Sequence, residues 1–223
     1  MVSKIEKRSL LVEQAADQIR EAISTGSLKS GDRLIESELA GNMGIGRNAL
    51  REAIRYLEKE GSVITTPFKG AHVKEFAEQD FGDLYAVRMA LEELAIRTIV
   101  KNLNDEKIRR LEAVVAGMKR VANGGSIEEI IEADLGFHRA ICEVSGNRRL
   151  LESWQNLSYQ LRSFIGWGDH LYDDDTPETV LGLHYPILDA IKAGKGNMAV
   201  KLMRITITRG YEKALRHFER GGE

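Results

Sequence analysis

The chain has 223 residues, 43% hydrophobic and 30% charged, enough for one ordinary domain or two small ones; it is too polar to live in lipid and too apolar to stay disordered. Its 32 basic and 34 acidic residues leave a formal net charge of -2, so a nucleic-acid-binding surface has to be local. The single cysteine, Cys142, excludes an internal disulfide and any zinc site built on paired cysteines, and reads as a buried apolar residue. No apolar run approaches the roughly 18 residues of a membrane span. The N-terminal MVSKIEKRSLL is too charged and short for a secretory signal, so no membrane partner is expected and the expected location is the cytoplasm.

From about residue 9 to 25, Leu11, Ala15, Ile19, Ala22 and Ile23 recur at steps of three and four, predicting a first helix closed by Gly26. A second helix is predicted from Glu36 to about Met43 and a third from about Arg47 to Glu60, joined by the turn Gly44-Ile45-Gly46. Short helix, glycine-bearing turn and longer helix form a helix-turn-helix pattern. Behind it SVITT and AHVKEF are strand-prone around the turn PFKG, which predicts a small hairpin, a wing. A polar stretch then marks a domain boundary, with residues 1–75 as the winged domain and 76–80 as the linker. From 81 to 223 the predicted fold is an all-α six-helix bundle, with helices at about 80–102, 104–122, 127–145, 147–166, 177–193 and 196–218. Asn104, Ser126, Gly146, Asn147 and Gly194 supply caps between them. The fold class is therefore mainly α, and GWGDHLYDDDTP is its longest irregular piece.

On the third helix Arg47, Arg51, Arg55 and Lys59 form an i, i+4, i+8, i+12 stripe, set apart from the apolar face of Leu50, Ala53, Ile54 and Leu57. Such a stripe can be a solvated face paired with Glu52, Glu58 and Glu60. Beginning behind a glycine-rich turn, it also sits where a recognition helix reads bases, with the Asn48 amide beside Arg47.

Within the bundle, Asp134 and His138 lie four positions apart on one predicted helix and can bite one cation, or form an ordinary surface pair. Leu135, Ile141 and Cys142 around them indicate burial, where a carboxylate beside a histidine wants a cation or a hydrogen-bond network. His184 opens an amphipathic stretch through Ile187, Leu188 and Ile191 and can face inward. Arg88 and Arg162 are forked, permanently charged candidates for holding a small anion. Arg88 can equally pair with Glu92 one turn along its helix, and Arg162 can snorkel to the surface.

The string Ile23, Gly26, Leu28, Gly31-Asp32-Arg33-Leu34, Glu36, Glu38-Leu39-Ala40, Arg47, Arg51-Glu52-Ala53, Leu57, Glu60-Gly61 and Gly70 resembles the winged helix-turn-helix of GntR-type bacterial transcription regulators. Arg88 with Leu91-Glu92, Asp134 with Phe137-His138, Ser145-Gly146-Asn147, and His184 with Ile187 and Ala190-Ile191 resemble the FCD ligand domain of the FadR-like subfamily. Six helices and modest length are more similar to its shorter, VanR-type branch.

The resemblance implies a metabolite-responsive DNA-binding regulator that represses, binds double-stranded operator DNA as a homodimer, and senses a small effector, a carboxylate, in its helical domain. It implies that Arg47 and Arg51 contact guanine edges or phosphates, that Asn48 lies at the DNA, that Lys69 and Gly70 bring the wing to the minor groove, and that Arg33 sits near the backbone. Gly46, where the family often carries Ser or Thr, and Asn48-Ala49, in place of Thr-Pro, imply a different operator preference. It also implies a divalent metal (Zn, Ni or Mn) on Asp134, His138 and His184, with Arg88 near the effector. Thr206 stands where the family has its last histidine. An effector carboxylate could complete three ligands, or Asp134, His138, His184 and Thr206 could hydrogen-bond a polar ligand without metal.

Two histidines and one aspartate are also the ligand types of a mononuclear iron oxygenase. The sequence offers neither a glycine-rich phosphate loop nor a nucleophile, base and orienter set, so no enzyme is expected. A third reading is a ligand-free, dimerising DNA-binding protein.

Overall fold

Apolar spacing at three and four residues builds the first helix, α1 (Glu6–Ser24), which turns Ala15, Ile19 and Ile23 inward. The computed structural model describes residues 6–165 and 176–219; most of the expected irregular segment 166–177, with Trp167, lies outside them. Short α2 (Glu36–Asn42) and longer α3 (Arg47–Glu60) follow, and Leu50, Ala53, Ile54 and Leu57 of α3 pack on the α1 face. Gly44 makes the turn between them with φ of 63°, a left-handed conformation that costs glycine nothing. Gly61, at φ of 79°, ends α3 in the same way. The bidentate pair between Arg20 and the buried Glu60, at 2.9 and 2.7 Å, ties α1 to the end of α3.

The wing is an antiparallel hairpin of β1 (Val63–Thr66) and β2 (Gly70–Val73), in register from Val63 opposite Val73 to Thr66 opposite Gly70. Val63, Ala71 and Val73 face the core of α1 and α3. The segment before α2 joins the hairpin edge through a bridge between Arg33 and His72. β2 stops at Val73, short of the predicted AHVKEF, although the Lys74 amide still donates to the Ser62 carbonyl at 3.0 Å, and Phe76 beyond it is buried.

The chain forms two compact units divided between Ala77 and Glu78, with residues 159–165 grouping with the first. The second unit is helical: α4 (Glu78–Lys101), α5 (Asp105–Ala122), α6 (Ile127–Ser145), α7 (Arg148–Ile165), α8 (Pro177–Gly182), α9 (Tyr185–Lys192) and α10 (Gly196–Glu219). The Asn104 side chain accepts from the Lys107 amide, and Ser126 with Glu129 forms a capping box. Gly146 closes α6 in the left-handed conformation.

The structure corrects the predicted bundle at one place. The single helix expected over 177–193 is two, α8 and α9, giving seven helices after Glu78 among the described residues in place of six. Pro186 has no N–H to offer the carbonyl four residues back, and its ring crowds that carbonyl, so the helix breaks at Leu183-His184 and restarts with Pro186 in its first turn. The helix count that carried the similarity to the shorter branch changes with it.

Candidate functional site

The break places His184 at the N-cap of α9, where its side chain turns into the helical unit and is fully buried. His138, from the middle of α6, meets it with 3.2 Å between the two Nε2 atoms. Asp134, one turn before His138, sets Oδ1 3.1 Å from His184 Nε2. The three ligand atoms lie within 4.8 Å of one another. Phe137 packs edge-on against both imidazoles, at 4.9 and 5.9 Å between ring centres, and restrains their tilt.

The outer nitrogens fix the tautomers. His138 Nδ1 lies 2.5 Å from Glu92 Oε2, and a carboxylate only accepts, so Nδ1 carries the proton. His184 Nδ1 lies 3.2 Å from the Leu181 carbonyl, which likewise only accepts. A ring that carries its only proton on Nδ1 presents Nε2 as a lone pair, so in that state two lone pairs and a carboxylate oxygen converge with no donor among them. That arrangement is repulsive until a proton or a cation enters. A histidine held at Nδ1 by a carboxylate or carbonyl and presenting Nε2 is the support arrangement of protein metal sites.

Glu92, wholly buried on α4, is the hub of the charge network. Its Oε1 accepts from Arg88 Nε and Trp154 Nε1, each at 2.9 Å, while Oε2 takes His138. Burial alone raises a carboxyl pKa, but the imidazole and guanidinium beside it and the indole N–H outweigh burial and hold Glu92 at about 2. For His138, burial and the Arg88 charge outweigh the two carboxylates and lower its pKa, which keeps the ring neutral. Asp134 is held well below the usual carboxylate range: burial pushes its pKa up, but the two histidines, once a proton occupies the Nε2 that faces it, and the Arg88 charge push it further down.

Asp134, His138 and His184 are thus brought together from α6 and the start of α9. Arg88 is buried on α4, paired with Glu92 and lying over the Tyr85 ring. Thr206 is buried on α10, and its hydroxyl donates to the Leu202 carbonyl of its own helix at 3.2 Å. Arg162, half-buried near the end of α7, groups with the first unit. Glu92 and Trp154 are the residues that sequence reasoning missed as members of the site. The available signal was a charged pair, Arg88 and Glu92, on the inward register of α4 with Ala95, Ile96 and Ile99.

In the first unit Arg47, Asn48, Arg51, Arg55 and Lys59 share the exposed face of α3, and Gly46 is its N-cap. Arg51 Nε is held by Glu36 at 2.7 Å, an exposed ion pair between α3 and α2. On the wing, Lys69 is exposed, and the Arg33 side chain runs beside Gly70, where an added Cβ would lie 3.6 Å from Arg33 Nε. One domain therefore presents cations from both helix and wing.

Among the described residues no helix is long and apolar enough to cross a membrane. Residues 83–209 match the FCD domain, and residues 11–73 match the bacterial regulatory proteins of the gntR family. The chain is 30% identical over 193 residues to the uncharacterized HTH-type transcriptional regulator YdhC of Bacillus subtilis, covering 85% of this chain and 84% of that one. It is 28% identical to the gluconate operon transcriptional repressor of Bacillus licheniformis, over 68% of this chain and 62% of that one. Among solved structures, McbR/YncC of E. coli superposes with a TM-score of 0.78 at 22% identity, covering 98% of this chain and all of that one. The winged domain, the helical unit and these relatives agree: the chain belongs to the GntR family of bacterial transcription regulators and carries an FCD domain.

Proposed function

We propose that this metabolite-responsive DNA-binding regulator is a cytoplasmic repressor whose FCD domain holds a divalent metal (Zn, Ni or Mn) on Asp134, His138 and His184. The effector is a small carboxylate that completes the metal's coordination. The observation that carries the metal is the convergence of two Nε2 lone pairs and the Asp134 oxygen, each histidine held at Nδ1 by an acceptor. Two nitrogens and one oxygen suit these metals. When bound, the ion supplies a Lewis-acidic position for an anionic ligand. Asp134 retains 14% exposure, against 1% for the histidine side chains, so access runs past its carboxylate. Arg88, which acts in part through Glu92 and so orients His138, is assigned to the effector together with Arg162.

Elemental analysis of protein purified without chelator is expected to give close to one metal per chain, lost in His138→Ala. Absence of metal from the wild type, even after metal is added back, would remove the metal. A second reading is favoured by Thr206, whose hydroxyl is turned to its own helix: a proton then bridges the two Nε2 atoms and the same residues hydrogen-bond the effector.

Arg47, Asn48 and Arg51 are assigned to the major groove behind Gly46, and Arg33, Lys69 and Gly70 to the wing contact. Arg51 has to exchange Glu36 for DNA, and an exposed ion pair of this kind holds it by less than about 1 kcal/mol. Arg51→Ala is therefore expected to weaken operator binding by roughly 1 to 3 kcal/mol, selectively for the preferred sequence. Equal affinity of variant and wild type by fluorescence anisotropy would take Arg51 out of the recognition surface.

The regulator works as a two-fold homodimer, and the support is an exposed face of α4 carrying Val87 and Leu94 beside Met198 and Ile205 of α10. Exposed apolar residues grouped on one helix pair are what an interface between copies provides.

A further inference from the structure

The wing turn contains a residue that neither packing nor turn geometry accounts for. Thr66 to Lys69 is a β-turn closed by the Lys69 amide on the Thr66 carbonyl at 3.1 Å. Pro67 occupies its second position, and Phe68 the third with φ of 65°, the one non-glycine residue with positive φ among the described residues. Proline followed by positive φ is the type II pattern, whose third position favours glycine or asparagine because a Cβ is strained there. Phe68 is also completely exposed, at 107%, so its ring adds nothing to the core that Val63, Ala71 and Val73 build below it. An aromatic that strains its own turn and buries no surface in the fold is explained by something outside the chain.

Its neighbours define the partner. Lys69 follows it and is exposed, and the exposed Arg33 side chain passes beside Gly70, two positions on, so the same wing tip carries an exposed ring and two cations. Cations suit the phosphates bordering a groove, and an apolar ring at the same tip suits the base steps at its floor, where phenylalanine can act as a wedge. We propose that Phe68 is an apolar wedge that enters the minor groove of the bound DNA and partly unstacks a base step, adding affinity and selecting deformable steps. The inference rests on the DNA-binding reading of the winged domain, and it concerns a residue and a contact different from the charged contacts of that reading.

The test uses the full chain and a duplex that the wild type selects from a randomised double-stranded library. Phe68→Asn is expected to raise the melting temperature by about 2 °C or more, because asparagine tolerates the left-handed turn. It is expected at the same time to weaken binding to the selected duplex by about tenfold, the scale of one lost base–aromatic contact. The salt dependence of binding should not change, since no phosphate contact is removed. Phe68→Leu, still an apolar wedge, should keep most of the affinity. With 2-aminopurine scanned through the duplex, wild type should brighten one step and Phe68→Asn should not.

A stabilised Phe68→Asn that binds as tightly as wild type would overturn the proposal. So would a loss of affinity accompanied by a shallower salt slope, which would make Phe68 a support for the Lys69 phosphate contact. If the wild type selected no duplex at all, the DNA-binding reading would fail and the wedge with it, a result distinct from either of the others.

Discussion

Glu92→Ala is expected to destabilise the helical unit by about 3 to 5 kcal/mol, read as a lower urea midpoint. The cause is the donors left behind rather than the carboxylate removed. Arg88, with 4% of its side chain exposed, would keep its charge without an anion, and the Trp154 indole and the His138 Nδ1–H would each lose their acceptor in a site sealed from water. Replacing the charged pair together behaves differently: Arg88→Met with Glu92→Gln removes both charges and leaves an amide oxygen for Trp154 or His138. That double variant is expected to recover most of the loss, as apolar or neutral substitutes for buried ion pairs do. An alanine variant with an unchanged midpoint would show that Glu92 is not the hub.

This network also shows where sequence reading succeeds and fails. The caps at Asn104 and Ser126 and the glycine stop at Gly146 were legible because each is settled within a few residues by local hydrogen bonds. Asp134 and His138 were legible as a pair because four positions on a helix bring side chains to one face. The break before α9 was obscured because Ile187, Leu188 and Ile191 continue the apolar rhythm of Val180 and Leu181, and only Pro186 signalled otherwise. Glu92 was hidden for a different reason. It bonds His138 across 46 positions and Trp154 across 62, whereas its one local partner, Arg88, reads equally well as a surface pair. Nor could the sequence anticipate Phe68: Pro67 announces the turn, but turn chemistry calls for a residue other than phenylalanine at its third position.

Ala90→Glu is expected to dissociate the proposed dimer, raising its dissociation constant by a hundredfold or more in sedimentation equilibrium. The reason lies in the exposed residues along the middle of α4, Asp83, Ala86, Val87, Ala90, Leu94 and Arg97. About Ala90, Asp83 mirrors Arg97 and Ala86 mirrors Leu94, while Val87 mirrors Glu93, whose carboxylate is held by Arg97 and Arg204 of its own chain. In an antiparallel pairing of two copies of α4, Asp83 faces Arg97 of the partner subunit, Ala86 faces Leu94 of the partner subunit, and Ala90 meets its own copy at the two-fold axis. Alanine at that axis lets the helices approach, and opposite charges at the two ends favour the antiparallel register over the parallel one. Glutamate there would set two carboxylates against each other in an apolar strip, where like-charge juxtaposition costs several kcal/mol. The same substitution on a solvent-facing surface would change stability by no more than about 0.5 kcal/mol, so a normal urea midpoint beside a lost dimer separates interface from fold. A wild type that sediments as a monomer, or an Ala90→Glu variant that stays dimeric, would move the interface away from α4.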